Sequence, residues 1–175
     1  MGGIHSTDDM LFFNKNVIAI GWSSLGDLSN ISADREAFRT KMMEAYPDAK
    51  KQAIATNTGQ VYRFVHEMSI GDYIVFPSKK DRMINIGVIE SEYFYYPGLD
   101  DTFDNFVNRR KVKWLKHIPR TYFSQGALYE AGSALTLFMI KNYADEFLSS
   151  LDKGFKKSVE DTDPDITVAA TAEEI

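Results

Sequence analysis

The sequence predicts an α+β fold: short, mostly antiparallel strands forming a compact, barrel-like sheet, with helices between and around them. Three observations carry this. Apolar runs such as Val17–Trp22 and Tyr73–Phe76 have the length of strands rather than of helices. Elsewhere the apolar residues keep a helical i, i+3, i+4, i+7 spacing, as Val61, Phe64, Val65 and Met68 do. A third signal is the stretch Asn108–Arg120, where apolar and cationic side chains alternate at the period of a strand.

Taken in chain order, Asp8–Phe13 reads as a short helix behind Ser6 or Thr7 as N-cap. Val17–Trp22 is a buried strand, and Ser23–Asn30 a polar connection containing Gly26-Asp27. Ala33–Tyr46 reads as a helix with Phe38, Met42 and Ala45 on one side, stopped by Pro47. A second helix is expected over Gly59–Met68. Ser69–Asp72 turns into the strand Tyr73–Phe76, Pro77–Arg82 is a polar turn, and Met83–Tyr95 is a long strand that completes a hairpin. An acidic loop, Pro97–Asn108, leads to the basic strand. Ser124–Ala131 reads as a helix and Ala134–Ile140 as a strand or helix entry. The last helix starts near Asn142, with Ala144, Phe147, Leu148, Leu151 and Phe155 as its apolar stripe.

At 175 residues the chain suffices for a real hydrophobic core, and residues 1–157 are expected to form a single domain. Cysteine is absent, which excludes disulfide scaffolds, Cys-ligated zinc and thiol nucleophiles. No apolar run approaches the roughly 18 residues of a membrane span, and no signal-peptide pattern opens the chain, so a cytoplasmic protein is expected. The formal net charge of −5 is unevenly placed. Residues 158–175 hold six acidic side chains and no basic one, and read as an acidic disordered tail or linker. The remainder carries 20 Lys/Arg against 19 Asp/Glu, so the low pI does not argue against an anionic ligand.

Asn108–Arg120 concentrates six cations, Arg109, Arg110, Lys111, Lys113, Lys116 and Arg120, with no acidic residue. As a strand it places Val112, Trp114 and Ile118 on one face, with Arg110 and Lys116 near the ends of that face. Lys111, Lys113 and His117 fall on the other. One face can enter a core while the other meets an anion, of which nucleic-acid phosphate is the commonest. A solvated edge strand defended by lysines is the plainer alternative. Aromatic residues supply the second signal. Trp22 ends a buried strand just before a Ser/Gly loop that begins at Ser23, and Tyr93, Phe94, Tyr95 and Tyr96 end another. Aromatic rings at strand ends suit the stacking of an unpaired or flipped base. Trp114, between apolar strand neighbours, reads as core.

Catalytic patterns are poor. His5, His66 and His117 lack metal-ligand spacing, and no P-loop, G-x-G-x-x-G or G-x-S-x-G occurs. Glu90 and Glu92 would share one face of the long strand, most simply its solvated side. The expectation is a binding module with no catalytic residue, no metal and no cofactor.

The ordered set I-A-I-G-W at 18–22, G-D-L-S at 26–29, R-F at 63–64, G-D-Y-I-V-F at 71–76, I-G-V-I at 86–89, N-R-R-K-V-K-W-L at 108–115 and P-R at 119–120 carries a resemblance over about residues 2–150. It resembles the N-terminal specificity domain found beside Mrr-like restriction endonuclease domains, a PUA-type fold related to EVE and YTH domains. The resemblance implies a PUA/EVE-like pseudo-barrel that reads nucleic acid, DNA being the expected partner, by accepting a modified base. It implies a pocket bordered by Trp22 and the loop after it, from Ser23 on, and a backbone-facing basic strand. Tyr93 and Tyr95, as strand-end aromatics, are the other pocket residues expected. Relatives carry an extra strand ahead of the glycines corresponding to Gly2-Gly3, and the nuclease domain has no counterpart here. Any cleavage in a restriction or phage-defence setting would then lie in a partner or a missing domain. Two other readings stay open: a nucleotide or small-ligand sensor, and a protein-interaction adaptor that engages a basic partner through the acidic loop and tail. Oligomeric state is not written in the chain.

Overall fold

The computed structural model describes residues 7–98 and 106–157. It is a mixed α+β fold with an antiparallel sheet and flanking helices. Its elements are α1 (Thr7–Lys15), β1 (Val17–Ile20), α2 (Arg35–Ala45), α3 (Lys51–Tyr62), β2 (Tyr73–Pro77), β3 (Met83–Ile89), β4 (Phe94–Tyr95), β5 (Asn108–Pro119), α4 (Gln125–Ala131) and α5 (Ala144–Ser149). The sheet order is β1-β5-β3-β2, and β4 also pairs with β5. The chain divides into two compact units. One comprises Met1–Ile74, Val88–Trp114 and Leu135–Phe138, the other Val75–Gly87, Leu115–Ala134 and Met139–Ile175. His5, Gly2-Gly3, most of the acidic loop (99–105) and the tail (158–175) lie outside the described residues.

In the first unit, α1 ends where Asn16 takes a left-handed conformation at φ 52°, a common way to stop a helix. The carbonyl of Asn16 then accepts from the Val112 amide at 2.9 Å, starting β1 beside β5. All four residues of β1 are buried, and α1 lies against it. Helix α2 starts two residues later than the spacing predicts, because the Asp34 carboxylate caps the Glu36 amide at 3.4 Å. Helix α3 starts eight residues earlier than expected, at Lys51. Its buried face is Ile54, Thr58 and Val61, and the polar Thr58 hides the helical period. The helix continues into a π-helical turn, Arg63–Glu67, closed by Met68 N–H on Arg63 O at 2.8 Å. Phe38 of α2 meets Tyr62 edge-on at 5.4 Å and His66 at 5.5 Å, which makes His66 a packing residue.

The predicted long strand Met83–Tyr95 is broken into β3 and β4. At the break the Ser91 hydroxyl, rather than a backbone carbonyl, accepts the Lys111 amide at 2.7 Å, interrupting the ladder. Glu90 and Glu92 therefore do not form a pair on one strand face; both lie in the interruption and are exposed.

The second unit has its own core. Ile84, Ile86, Ile118, Phe123, Ala127 and Phe147 are buried together, with Val75, Ile140, Leu151 and Phe155 packed around them. Ser124 caps α4 through the Ala127 amide at 3.2 Å. Residues 134–140 form neither strand nor helix. The last helix is short: six residues, Ala144–Ser149. The three amides ahead of it, Lys141, Asn142 and Tyr143, donate to the Glu130 carboxylate at 2.6, 3.0 and 2.9 Å, an anion at the helix N-terminus.

Candidate functional site

The register of β1 on β5 pairs Ile20 with Asn108 and Val17 with Lys111, so the end of β1 and the start of β5 lie side by side. On β5's other side Tyr95 of β4 stands opposite Asn108. Immediately past β1 the chain turns sharply. Trp22 takes the left-handed conformation at φ 60°, ψ 41°, an outlier for a bulky residue and the kind of local strain that collects at functional loops. Its carbonyl accepts from Leu25 at 3.0 Å, and Ser23–Leu25 form a single helical turn. Gly26 follows at φ 69°, ψ −147°, a region open essentially to glycine alone. The Trp22 indole is partly exposed and makes no hydrogen bond or ring contact among the described residues.

Below this loop lies a polar cluster that sequence reasoning placed only in part. The Tyr93 hydroxyl donates to Asn108 Oδ1 at 2.7 Å, accepts from the Leu28 amide at 2.9 Å and stands 3.2 Å from Asp27 Oδ1. Asp27 Oδ1 also receives the Ser29 amide at 2.9 Å and the Ser29 hydroxyl at 2.7 Å. The Ser29 hydroxyl, foremost, holds the Asp27 pKa below the usual carboxylate value. Burial pushes the Tyr93 phenol upward, so it stays protonated at neutral pH. Tyr93 is thus tied by its hydroxyl and packed edge-on against Phe64 at 6.4 Å, rather than presented as a stacking surface. Tyr95 and Ser23 are partly buried.

The alternation read along β5 holds: Val112 and Ile118 are buried, Trp114 is partly buried with its indole N–H on Phe12 O at 3.0 Å, and Lys111 and Lys113 are exposed. Three of the six cations expected to face phosphate are engaged by the fold. Arg110 has no exposed surface, and its guanidinium donates to the carbonyls of Phe64, Val65, Met68 and Ser91 at 2.8–3.1 Å. It supplies donors to the carbonyl end of the π-helical turn, where the helix leaves acceptors without amides. Arg109 is 6 % exposed, with Nε on Phe106 O at 2.7 Å and its guanidinium 4.3 Å from the Tyr96 ring. Lys116 Nζ donates to Ser150 O at 2.6 Å and Asp152 O at 3.4 Å, a cation closing the C-terminus of α5. Arg120 is partly buried at the start of a helical turn, Arg120–Tyr122. Lys111 and Lys113 make no ion pair among the described residues. They face away from the side that buries Asn108 and Arg110.

His117 is exposed, and its Nδ1 donates to Asn85 Oδ1. Among the described residues no group of three or more His, Asp or Glu could hold a metal ion. Nor is any helix among them long and apolar enough to cross a membrane. Asn108 and Asp27 are the residues that sequence reasoning missed; only the phrase G-D-L-S carried a trace of the second. Neither a curated protein nor a solved structure matches the chain. A family model, Domain of unknown function (DUF8426), matches residues 5–141, and the chain belongs to that family.

Proposed function

We propose that this protein is a non-catalytic, cytoplasmic nucleic-acid recognition module that captures a base, a modified one in DNA being the first candidate. The observation that carries the reading is the loop after β1. A partly exposed tryptophan is held there in a strained backbone conformation, without partners, next to an Asp–Tyr–Asn cluster. A flat indole stacks on any base, and Asn and Asp heads read base edges. The antiparallel sheet and flanking helices accord with a PUA/EVE-like pseudo-barrel, the finer fold we assign. In a restriction setting the nuclease would be a separate partner or domain.

With Arg109, Arg110 and Lys116 engaged internally, phosphate attraction falls chiefly to Lys111 and Lys113. Two contacts give a shallow slope of log K against log salt, about −1.4 to −1.8, against about −4 or steeper for six. Fluorescence anisotropy with plain and modified oligonucleotides, single- and double-stranded, at low and moderate salt tests this. Lys111→Glu with Lys113→Glu should weaken binding to all of them alike. Absence of binding to any oligonucleotide would reject the reading.

The same burial of cations favours a second reading, a sensor of free nucleosides or nucleotides. Equal affinity for a nucleoside and for the oligonucleotide containing it selects the sensor.

A further inference from the structure

The inference rests on base capture as proposed above and narrows what the base must offer. Asn108 is fully buried, yet its Nδ2 has no hydrogen-bond partner among the described residues. Such an unmet donor costs about 1–3 kcal/mol, and native proteins leave few of them. The amide is not loosely placed. Tyr93's hydroxyl has one hydrogen, and the 2.7 Å contact assigns it to Asn108 Oδ1, which turns Nδ2 away from the ring. Asp27 stands against the same hydroxyl. Its Oδ1 is occupied by Ser29, while its Oδ2 has no partner among the described residues. Arg39 Nε and Thr58 Oγ1 are likewise buried without partners, but both lie on helices and neither is joined by a hydrogen bond to a second polar head. Asn108 and Asp27, by contrast, meet at the Tyr93 hydroxyl, Asn108 with a buried unmet donor and Asp27, partly exposed, with one carboxylate oxygen that no described residue engages.

The geometry points to Asn108 and Asp27 as an edge-reading pair for a neutral heterocycle, Nδ2 donating to a ring nitrogen or carbonyl and Asp27 accepting from a neighbouring N–H. Every nucleobase carries an acceptor beside a donor on its pairing edge. A phosphate or carboxylate carries acceptors only and would face the Asp27 carboxylate, so the chemistry selects the base over the anion. Asn108 is a specificity-determining residue in this arrangement and Tyr93 a positioning residue.

The test uses the full chain, four labelled single-stranded homo-oligonucleotides and the four nucleosides, with thermal unfolding recorded in parallel. Asn108→Leu removes the unmet donor, and the Tyr93 O–H that loses Oδ1 still has Asp27 Oδ1 at 3.2 Å to donate to. The unfolding temperature should therefore stay the same or rise, while affinity for the preferred oligonucleotide drops about tenfold, the loss expected for one unpaired buried group. Asp27→Asn, at a partly exposed site, should lower the same affinity and shift the base preference. Lys111→Glu with Lys113→Glu should weaken all oligonucleotides equally and leave the preference intact. If the wild type binds and both Asn108→Leu and Asp27→Asn bind within twofold of it, the edge-reading pair is overturned while base capture stands. A lowered unfolding temperature with unchanged affinity in Asn108→Leu makes Asn108 a structural residue, with the same consequence. Should Asn108→Leu fail to fold, Asp27→Asn decides alone, and an unchanged affinity and preference overturns the pair. Failure of the wild type to bind any oligonucleotide or nucleoside removes base capture and this inference together.

Discussion

Two asparagines, both with no exposed surface and both on strands, are treated in opposite ways by this fold. Asn85, on β3 in the second unit, has every polar atom placed. Its Nδ2 donates to Phe76 O at 2.9 Å and Ser78 Oγ at 3.1 Å, and its Oδ1 accepts from His117 Nδ1. Ser78 passes the chain on to Asp81. Asn108, on β5 in the first unit, has its oxygen placed and its nitrogen unmet. The first arrangement is what a buried polar group needs to hold a hairpin in register. The second leaves a buried donor without a partner among the described residues. The contrast teaches that burial alone does not tell the two asparagines apart; the completeness of their hydrogen bonding does, and it is the incomplete one that the proposed recognition role rests on.

The sharpest test of the complete class is Arg110, a neighbour of Asn108 on the same face of β5. Arg110→Met should cost about 3–5 kcal/mol, because four carbonyls in buried or part-buried contacts lose their donor at once. In a chain of this size that is a fall in unfolding temperature of roughly 10 °C, read by calorimetry. A loss under about 1 kcal/mol would mean that water replaces the guanidinium and that the π-helical turn does not depend on it. Asn85→Leu is the direct counterpart of the Asn108 substitution. It should cost about 2–4 kcal/mol, since Phe76 O, Ser78 and His117 are all left short. Equal stability losses from Asn85→Leu and Asn108→Leu would erase the distinction between the two asparagines.

How much of this was legible in the chain follows from which contacts are local. The alternation of Lys111, Val112 and Lys113 is a local pattern, and it read correctly as exposed and buried faces. The burial of Arg110 did not, because its acceptors on Phe64 and Val65 lie 46 and 45 residues away and exist only once the π-helical turn has formed. A cationic run in sequence therefore overstated the cationic surface. The break between β3 and β4 was equally hidden, since Met83–Tyr95 has strand composition throughout and only the Ser91 hydroxyl marks the interruption. Trp22 was legible as a strand-end aromatic beside a glycine-containing loop; its left-handed conformation was not. Asn108 looked like the first residue of a basic strand, and nothing nearby announced Tyr93, 15 residues before it, as the group that fixes its amide.

Two smaller perturbations probe the incomplete site from its supports. Gly26→Ala places a side chain at φ 69°, ψ −147°, which costs about 1–3 kcal/mol and reshapes the loop that carries Trp22 and Asp27. Trp22 fluorescence should change with it. An unaltered emission spectrum together with unaltered stability would show that the loop tolerates another path. Tyr93→Phe leaves the Leu28 amide and Asn108 Oδ1 without their shared partner, at about 1 kcal/mol. It also carries a pH signature. The native phenol titrates above its ordinary value, so its contribution is full below about pH 10 and is lost as the pH rises further and the unfolded tyrosine ionises. Alkaline unfolding of Tyr93→Phe should therefore fall less steeply than that of the wild type, and identical limbs would place the hydroxyl outside the cluster.

The smallest effect separates the two carboxylates along the same line as the two asparagines. Glu130 uses both oxygens, accepting Lys141 and Asn142 on Oε1 and Tyr143 on Oε2, and these amides, Asn142 foremost, lower its pKa from 4.5. Asp27 uses Oδ1 alone among the described residues. A depressed native pKa stabilises the fold above the unfolded value and is lost as the pH falls through the native one. Glu130→Gln should therefore flatten the acid limb of thermal unfolding below about pH 4.5, the unperturbed glutamate range, and leave oligonucleotide affinity alone. Asp27→Asn should also soften the acid limb, but it alone of the two should alter base preference. If the Glu130 variant changed base preference as much as the Asp27 variant, a complete hydrogen-bond set would no longer mark a structural carboxylate, and Asp27 would lose its proposed recognition role with it.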